Sequence, residues 1–289
     1  MGNNSVMILG IPVSTVSRQD ILKHLKKYLK HPASEDRKRG QKSADVYRIV
    51  TPNPEQVMLA MRQPVFGKLL SKADLALPDG IGLVWAARFL GLPGPSGRLS
   101  GVDLMLDLVQ SARKLAAPIG LIGGPPGLAL DTLDCLRKMY PGLSGYCRDL
   151  PRFVLKYIRD GSASNSGHYE AQNEVTVRKF LKSFASQIVQ KNIRVAFIGL
   201  GAPKQEWVMD VLAGQLNSIG LNHPVILTAV GGAFSMICGK SRRAPGIVRR
   251  IGLEWFWRLG LEPWRIRRQL DLPLFVIRVF QERFSGRRI

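Results

Sequence analysis

Five short loops hold the residues whose types suit chemistry on hydroxyls and phosphates: TPNPE (51–55), PDGIG (78–82), GGPPG (123–127), GLGAPKQE (199–206) and VGGAF (230–234). Asp79 is the candidate acid–base group. Glycines on its far side leave room for a substrate hydroxyl, so it could act as general base. The commoner use of such an Asp is to cap the helix that follows. The loop glycines Gly80, Gly123, Gly124, Gly201, Gly231 and Gly232 bare the backbone toward a ligand. GGPPG ahead of a helix would cradle a diphosphate; a strand-to-helix turn opened by proline fits it equally well. Thr51 and Asn53 suit either a braced turn or a contact to sugar or base. Lys204 and Gln205, behind Pro203, suit ligand contact or plain surface. GxGxxG is incomplete and GxxxxGK[ST] is absent, which disfavours a dinucleotide dehydrogenase and a P-loop NTPase. There is no DxD or HExxH, so no divalent-metal anchor is expected and arginines or backbone amides would neutralise phosphate.

These loops need a frame. Each follows a β-branched or aliphatic run: Tyr47–Thr51, Leu75–Pro78, Pro118–Gly123, Arg194–Gly199 and Val225–Val230. Helical patterns are expected over Pro54–Met61, Ile81–Leu90, Asp103–Leu115, Gly127–Met139, Val175–Gln190 and Gln205–Gln215. Alternation of this kind predicts an α/β fold with a mostly parallel sheet and helices on both faces. All five loops then share the rim where such sheets bind substrates. Val6–Val13 is expected to form an extra strand or hairpin. His31–Ala44 and Gly161–Gln172 read as polar loops.

The 289 residues include 42 Lys or Arg against 21 Asp or Glu, a net charge of +21, with 45% hydrophobic residues. That apolar content excludes a wholly disordered chain. The odd, scattered cysteines Cys135, Cys147 and Cys238 make no zinc pattern and point to a reducing compartment. No apolar run approaches the ~20 residues of a membrane span, and no secretory signal is expected in the N-terminal MGNNSVMILGIPVS. The four histidines lie outside every motif. From Lys240 to Ile289 there are 13 basic and 4 acidic residues, and 12 of the 13 are Arg. Arginine forks match phosphate, so the tail by itself suggests a phosphate-bearing partner of one of three kinds: nucleic acid, a nucleotide diphosphate or anionic lipid. We divide the chain into a catalytic α/β domain, 1–239, and a basic helical appendage, 240–289.

TPNPEQVMLA, ADLALPDGIGLVWAAR, RLSGVDL, IGLIGG, IGLGAPKQEWVM, AVGGAFSMICGKSRRAP and GLEWFWRLGLEPWRIRR, in that order, resemble the WecG/TagA/CpsF glycosyltransferases from about Val6 to about Leu274. The resemblance implies a bacterial, inverting enzyme with a Rossmann-like fold of the GT-E type. It implies a UDP-sugar donor carrying N-acetylmannosamine, its uronic acid or glucose. The implied acceptor is a polyprenyl-diphosphate-linked sugar at the inner face of the cytoplasmic membrane. Asp79 matches the proposed base of the family. Arg98 matches the arginine of its RxTG-like motif, with Ser100 in place of Thr. Gln205 matches the Gln of GAPKQE, and Thr51 and Asn53 match its substrate loop. Arg242, Arg243, Trp264, Arg265, Arg267 and Arg268 match the basic appendage expected to meet membrane or diphosphate. GGPPG departs from the usual GGKPG, so position 125 carries no lysine.

The expected reaction is a single displacement without metal or other cofactor. Asp79 would deprotonate the acceptor hydroxyl, and Arg98 with the appendage arginines would stabilise departing UDP. Two other classes remain open: a basic nucleic-acid-binding protein, which leaves the five rim loops without a purpose, and a non-catalytic membrane scaffold, which leaves Asp79 without one. We expect no nucleic-acid partner; a homo-oligomer is compatible with the sequence. From Trp264 onward apolar residues interleave with arginines, and after Pro273 they recur at helical steps. An interfacial helix in the lipid head groups is expected there, with Trp255 and Trp257 the residues better suited to the core.

Overall fold

The computed structural model describes residues 4–30, 46–94, 99–161, 166–250, 252, 254–261 and 266–285. In chain order the elements are β1 (Ser5–Ile8), β2 (Ile11–Ser14), α1 (Arg18–Lys30), β3 (Val46–Val50), α2 (Pro54–Arg62), α3 (Pro64–Ser71), β4 (Leu75–Ala76), α4 (Ile81–Phe89), α5 (Gly101–Lys114), β5 (Ile119–Ile122), α6 (Leu128–Met139) and β6 (Gly145–Arg148). There follow β7 (Leu155–Arg159), β8 (Gly167–Ala171), α7 (Glu174–Gln190), β9 (Val195–Ile198), α8 (Lys204–Ile219), β10 (Val225–Ala229), α9 (Ala233–Ile237), α10 (Gly246–Arg250), α11 (Glu254–Leu261), α12 (Ile266–Gln269) and α13 (Asp271–Phe284).

Six strands form one parallel sheet in the order β4-β3-β10-β9-β5-β6. Every residue of β5, β9 and β10 is buried, because helices cover both faces and leave no polar side to alternate with. The two-residue period survives as a division between two core layers. Val195 and Phe197 pack on one face with α5 and α6, and Ala196 and Ile198 on the other with α7 and α8. The α/β architecture expected from the sequence is therefore present.

The N-terminal segment is a hairpin whose turn residues Leu9 and Gly10 both have positive φ, the twist-matching geometry of a two-residue connection. Residues 31–45 lie outside the description, and the expected loop there with them. The segment expected as a loop over Gly161–Gln172 contains β8, which pairs antiparallel with β7, Tyr157 opposite Tyr169. Its Ser, Asn and Gly content masked a short strand stabilised by cross-strand pairs. The helix α1 was also unread, although Ile21, Leu25 and Leu29 bury one stripe at four-residue steps.

The C-terminal helices correct a second expectation. Phe275 and Val279 of α13 are 2% and 0% exposed and join the same core as Val57 and Met58 of α2. One face of α13 thus packs on the body, which an i, i+4 apolar pair permits whatever arginines lie on the other side. Of the two tryptophans expected to suit the core, Trp255 is exposed, as is Phe256, while Trp257 is half-buried. Among the described residues no helix is long and apolar enough to cross a membrane.

Candidate active site

The carboxyl ends of β3, β4, β5, β9 and β10 open into one cavity of about 680 Å³. Thr51, Asp79, Gly124, Gly201 and Gly231 each bring one of the five loops to its wall. The parallel sheet does this by construction, since all its strands end on the same edge.

Asp79 is half-buried on that wall. Its backbone N–H donates to the Pro52 carbonyl at 2.8 Å, which ties the PDGIG loop to TPNPE. The N-cap position of α4 belongs to Gly80, so Asp79 stands one residue ahead of the cap, among the residues that line the cavity. Asn53 takes the structural alternative: its side chain caps α2 by accepting from Gln56 N–H at 2.9 Å. Thr51 is buried and lines the same cavity.

The glycines divide by role. Gly80, Gly124, Gly201, Gly231 and Gly232 line the cavity. Gly123 lies behind it, where an added Cβ would meet the Gly199 carbonyl at 2.9 Å; that glycine permits close packing of two strand ends. The amide of Gly127, expected at the head of the diphosphate cradle, already donates to Asp149 at 2.9 Å. A carboxylate thus occupies part of the anion-binding end of α6.

Gln205 was expected to touch ligand. It is 3% exposed, and its Oε1 accepts from Gly201 N–H at 3.1 Å and Gly231 N–H at 2.9 Å. It therefore ties two rim loops together, and those two amides are taken before any ligand arrives. Its Nε2 donates to Glu206 Oε1 at 2.8 Å. Glu206 is 1% exposed and its Oε2 has no partner. Burial pushes its carboxyl up to about 7, against the opposing pull of the Gln205 bond and a backbone hydrogen bond. The Tyr169 phenol is raised too, first by burial and then by Glu206 nearby.

Lys204 also turns inward. Its Nζ donates to the Phe153 carbonyl at 2.7 Å over the Phe153 ring, beside a second cavity of about 470 Å³ that shares Gly124 and Leu200 with the first. Arg243, expected against membrane or diphosphate, donates to Asp103 Oδ1 at 2.7 Å and to Ser100 Oγ at 3.3 Å. Ser100 caps α5 and donates to Asp103 Oδ2 at 2.6 Å. Burial works to raise the Asp103 carboxyl, but the bonds from Arg243 and Ser100 outweigh it and hold it below the ordinary range. This cluster anchors the start of the appendage to the SGVD turn, a pairing across 140 residues that local motifs do not announce.

The appendage supplies one wall. Arg62 of α2 pairs in bidentate fashion with Asp271 of α13, at 2.5 and 2.8 Å. Buried Gln269 donates to Glu55 at 3.3 Å, and all four of these residues line the cavity. Among the described residues Arg62 is the only cation lining the cavity, and it is already paired. Arg98, Trp264 and Arg265 lie outside the described residues, as do the side chains of Arg267 and Arg268 on α12. Arg242 is exposed. Among the described residues no cluster of three or more His, Cys, Asp or Glu is placed to hold a metal.

A parallel sheet whose strand ends converge on one carboxylate-bearing cavity is the working plan of an α/β enzyme that binds its substrates at the strand ends. The profile of the Glycosyl transferase WecG/TagA/CpsF family matches residues 6–289. The chain belongs to that family and is a glycosyltransferase. It is similar to the N-acetylglucosaminyldiphosphoundecaprenol N-acetyl-beta-D-mannosaminyltransferase of Bacillus spizizenii, 31% identical over 83% of this chain and 81% of that one. Proteins of the same description from Bacillus subtilis and Staphylococcus aureus are 28% and 25% identical, over 81% and 95% of this chain and 79% and 91% of theirs.

Proposed function

We propose that this enzyme moves a sugar from a UDP-sugar to a polyprenyl-diphosphate-linked sugar, with inversion and without a metal, at the inner face of the cytoplasmic membrane. N-acetylmannosamine is the first donor sugar to test and an N-acetylglucosaminyl acceptor its partner, since the relatives carry those sugars in their names. The placement of Asp79 carries the reading. It stands on the wall of the shared cavity, one residue ahead of the N-cap of its helix. There its carboxylate takes the proton of the acceptor hydroxyl as that oxygen attacks the anomeric carbon. Positioned general-base catalysis contributes on the order of 10²–10⁴-fold.

The leaving diphosphate needs positive charge, and Arg98, Arg265, Arg267 and Arg268 are the residues we assign to it. Among the described residues the cavity wall bears Glu55, Glu254 and Asp271, which suit hydroxyl groups of a sugar better than phosphate. Residues 240–289 form the membrane-contacting appendage in this proposal. Phe256 and Phe284, 62% and 77% exposed, would enter the head-group layer while Phe275 and Val279 hold α13 to the body. Each arginine near an anionic surface adds about 1 kcal/mol.

Mass detection of product from UDP-N-acetylmannosamine and a short polyprenyl-diphosphate N-acetylglucosamine tests the reading. Asp79→Asn should lower kcat by two to four orders of magnitude in a folded protein. Near wild-type turnover in that variant would remove Asp79 as the base. EDTA should leave transfer intact; abolition that Mg²⁺ restores would remove the metal-free mechanism.

A further inference from the structure

We infer that Glu206 is a positioning residue of the transfer site: it holds the Gln205 amide in one orientation, so that this side chain ties the GAPKQE loop to the VGGAF loop. The inference rests on the glycosyltransferase reading above. A carboxamide presents an oxygen and an NH₂ of nearly the same shape, and half a turn about its last bond exchanges them. The amides of Gly201 and Gly231 converge on one end of Gln205 and can only donate. That end must be the oxygen. Glu206 Oε1 receives the other end, and because it accepts there, it requires the NH₂. Glu206 thereby reinforces, from the other end, the orientation that the two glycine amides need.

The geometry gives the tie its consequence. Its two glycines follow β9 and β10, adjacent strands at the middle of the sheet. One oxygen therefore sets the separation of Leu200–Pro203 from Val230–Gly232, both of which bound the cavity. Glu206 is a poor choice for stability alone. It is 1% exposed and leaves Oε2 without a partner, where an apolar side chain would fill the volume without burying an ionisable group. Local conflicts of this kind concentrate at functional sites. Gln205 Nε2 donates to Glu206, a backbone N–H bonds to the same carboxyl, and the Tyr169 phenol lies close enough for Glu206 to raise it.

Glu206→Gln and Glu206→Met separate orientation from packing. Glutamine keeps an oxygen for Gln205 Nε2; methionine fills the space and offers none. Glu206→Met should lower kcat roughly 100-fold through misplaced loops, while Glu206→Gln stays near the wild type. Amide hydrogen exchange at Gly201 and Gly231 gives a readout independent of turnover. Both amides should be protected in the wild type and in Glu206→Gln, and should exchange about tenfold faster in Glu206→Met. Equal turnover in the Met variant and the wild type overturns the proposal, as does a Gln variant that falls as far as Met. Unprotected Gly201 or Gly231 in the wild type overturns it whether or not the variants fold. If the wild type transfers no sugar, the substrate reading fails and exchange alone decides: the stated pattern upholds the tie, and any other overturns it.

Discussion

Replacing Glu206 by Gln should change how the stability of the fold depends on pH. Burial holds the Glu206 carboxyl at about 7 in the folded chain, against 4.5 for an ordinary glutamate. Between those values the folded chain binds a proton that the unfolded chain has released. Its contribution is therefore fully present below about pH 4.5 and is lost as pH rises through about 7. At about 1.4 kcal/mol per unit, the gap amounts to about 3 kcal/mol. Glutamine has no proton to lose, and every other titrating group is common to the two proteins. The difference between their pH profiles isolates this one carboxyl, and any fixed offset from the new amide drops out of the slope. Urea unfolding followed by circular dichroism at pH 5, 6, 7 and 8 measures it. With a slope of about 3 kcal/mol per molar urea, the two midpoints should move apart by about 1 M across that range, in favour of the variant at high pH. Midpoints that keep a constant separation from pH 5 to pH 8 would refute the argument, because a solvated or ion-paired Glu206 gives no such linkage.

Arg243→Ala should cost roughly 1–2 kcal/mol, since it strands a half-buried Asp103 that partial exposure still screens; an unchanged melting temperature would show the pair to be ornamental. Phe275→Ala should cost about 3–5 kcal/mol and expose α13 to limited proteolysis. Phe284→Ala, at a site 77% exposed, should change stability by less than about 0.5 kcal/mol. The same substitution should weaken sedimentation with anionic liposomes, and undiminished binding would remove Phe284 from the membrane contact. Asp149→Asn should leave the Gly127 amide bonded and change stability by less than about 1 kcal/mol, read by the same urea assay.

The strand ends were legible because their cause is local. Runs such as Val225–Ala229 are apolar throughout, and a buried parallel strand needs nothing else. The position of Asp79 on the cavity wall was legible for the same reason, since the PDGIG loop directly follows the short apolar run of β4. β6 was missed because its GYCR sequence is only half-buried at the edge of the sheet. Gln205 and Lys204 do border the two cavities, but the bonds that Lys204, Gln205 and Arg243 make to the protein itself were not legible. Their partners lie far away in sequence: Phe153 for Lys204, Gly231 for Gln205, Asp103 for Arg243. Polar residues in a motif announce that hydrogen bonds are needed and do not say with what. The apolar face of α13 posed the same problem, since its period identifies a buried stripe without naming whether protein or lipid covers it.

The contact between α2 and α13 joins residues 209 positions apart, Arg62 with Asp271. During synthesis the first of these emerges long before the second exists. Val57 and Met58, wholly or nearly buried, share a core cluster with Phe275 and Val279, so their packing stays incomplete until α13 is made. Contacts of such span are late and slow to form. A chain interrupted before residue 271 therefore lacks the Phe275 and Val279 packing on this part of the core. The helix that completes this packing also supplies Asp271 and Leu272 to the cavity wall, so an unfinished chain cannot present a complete pocket to its substrates.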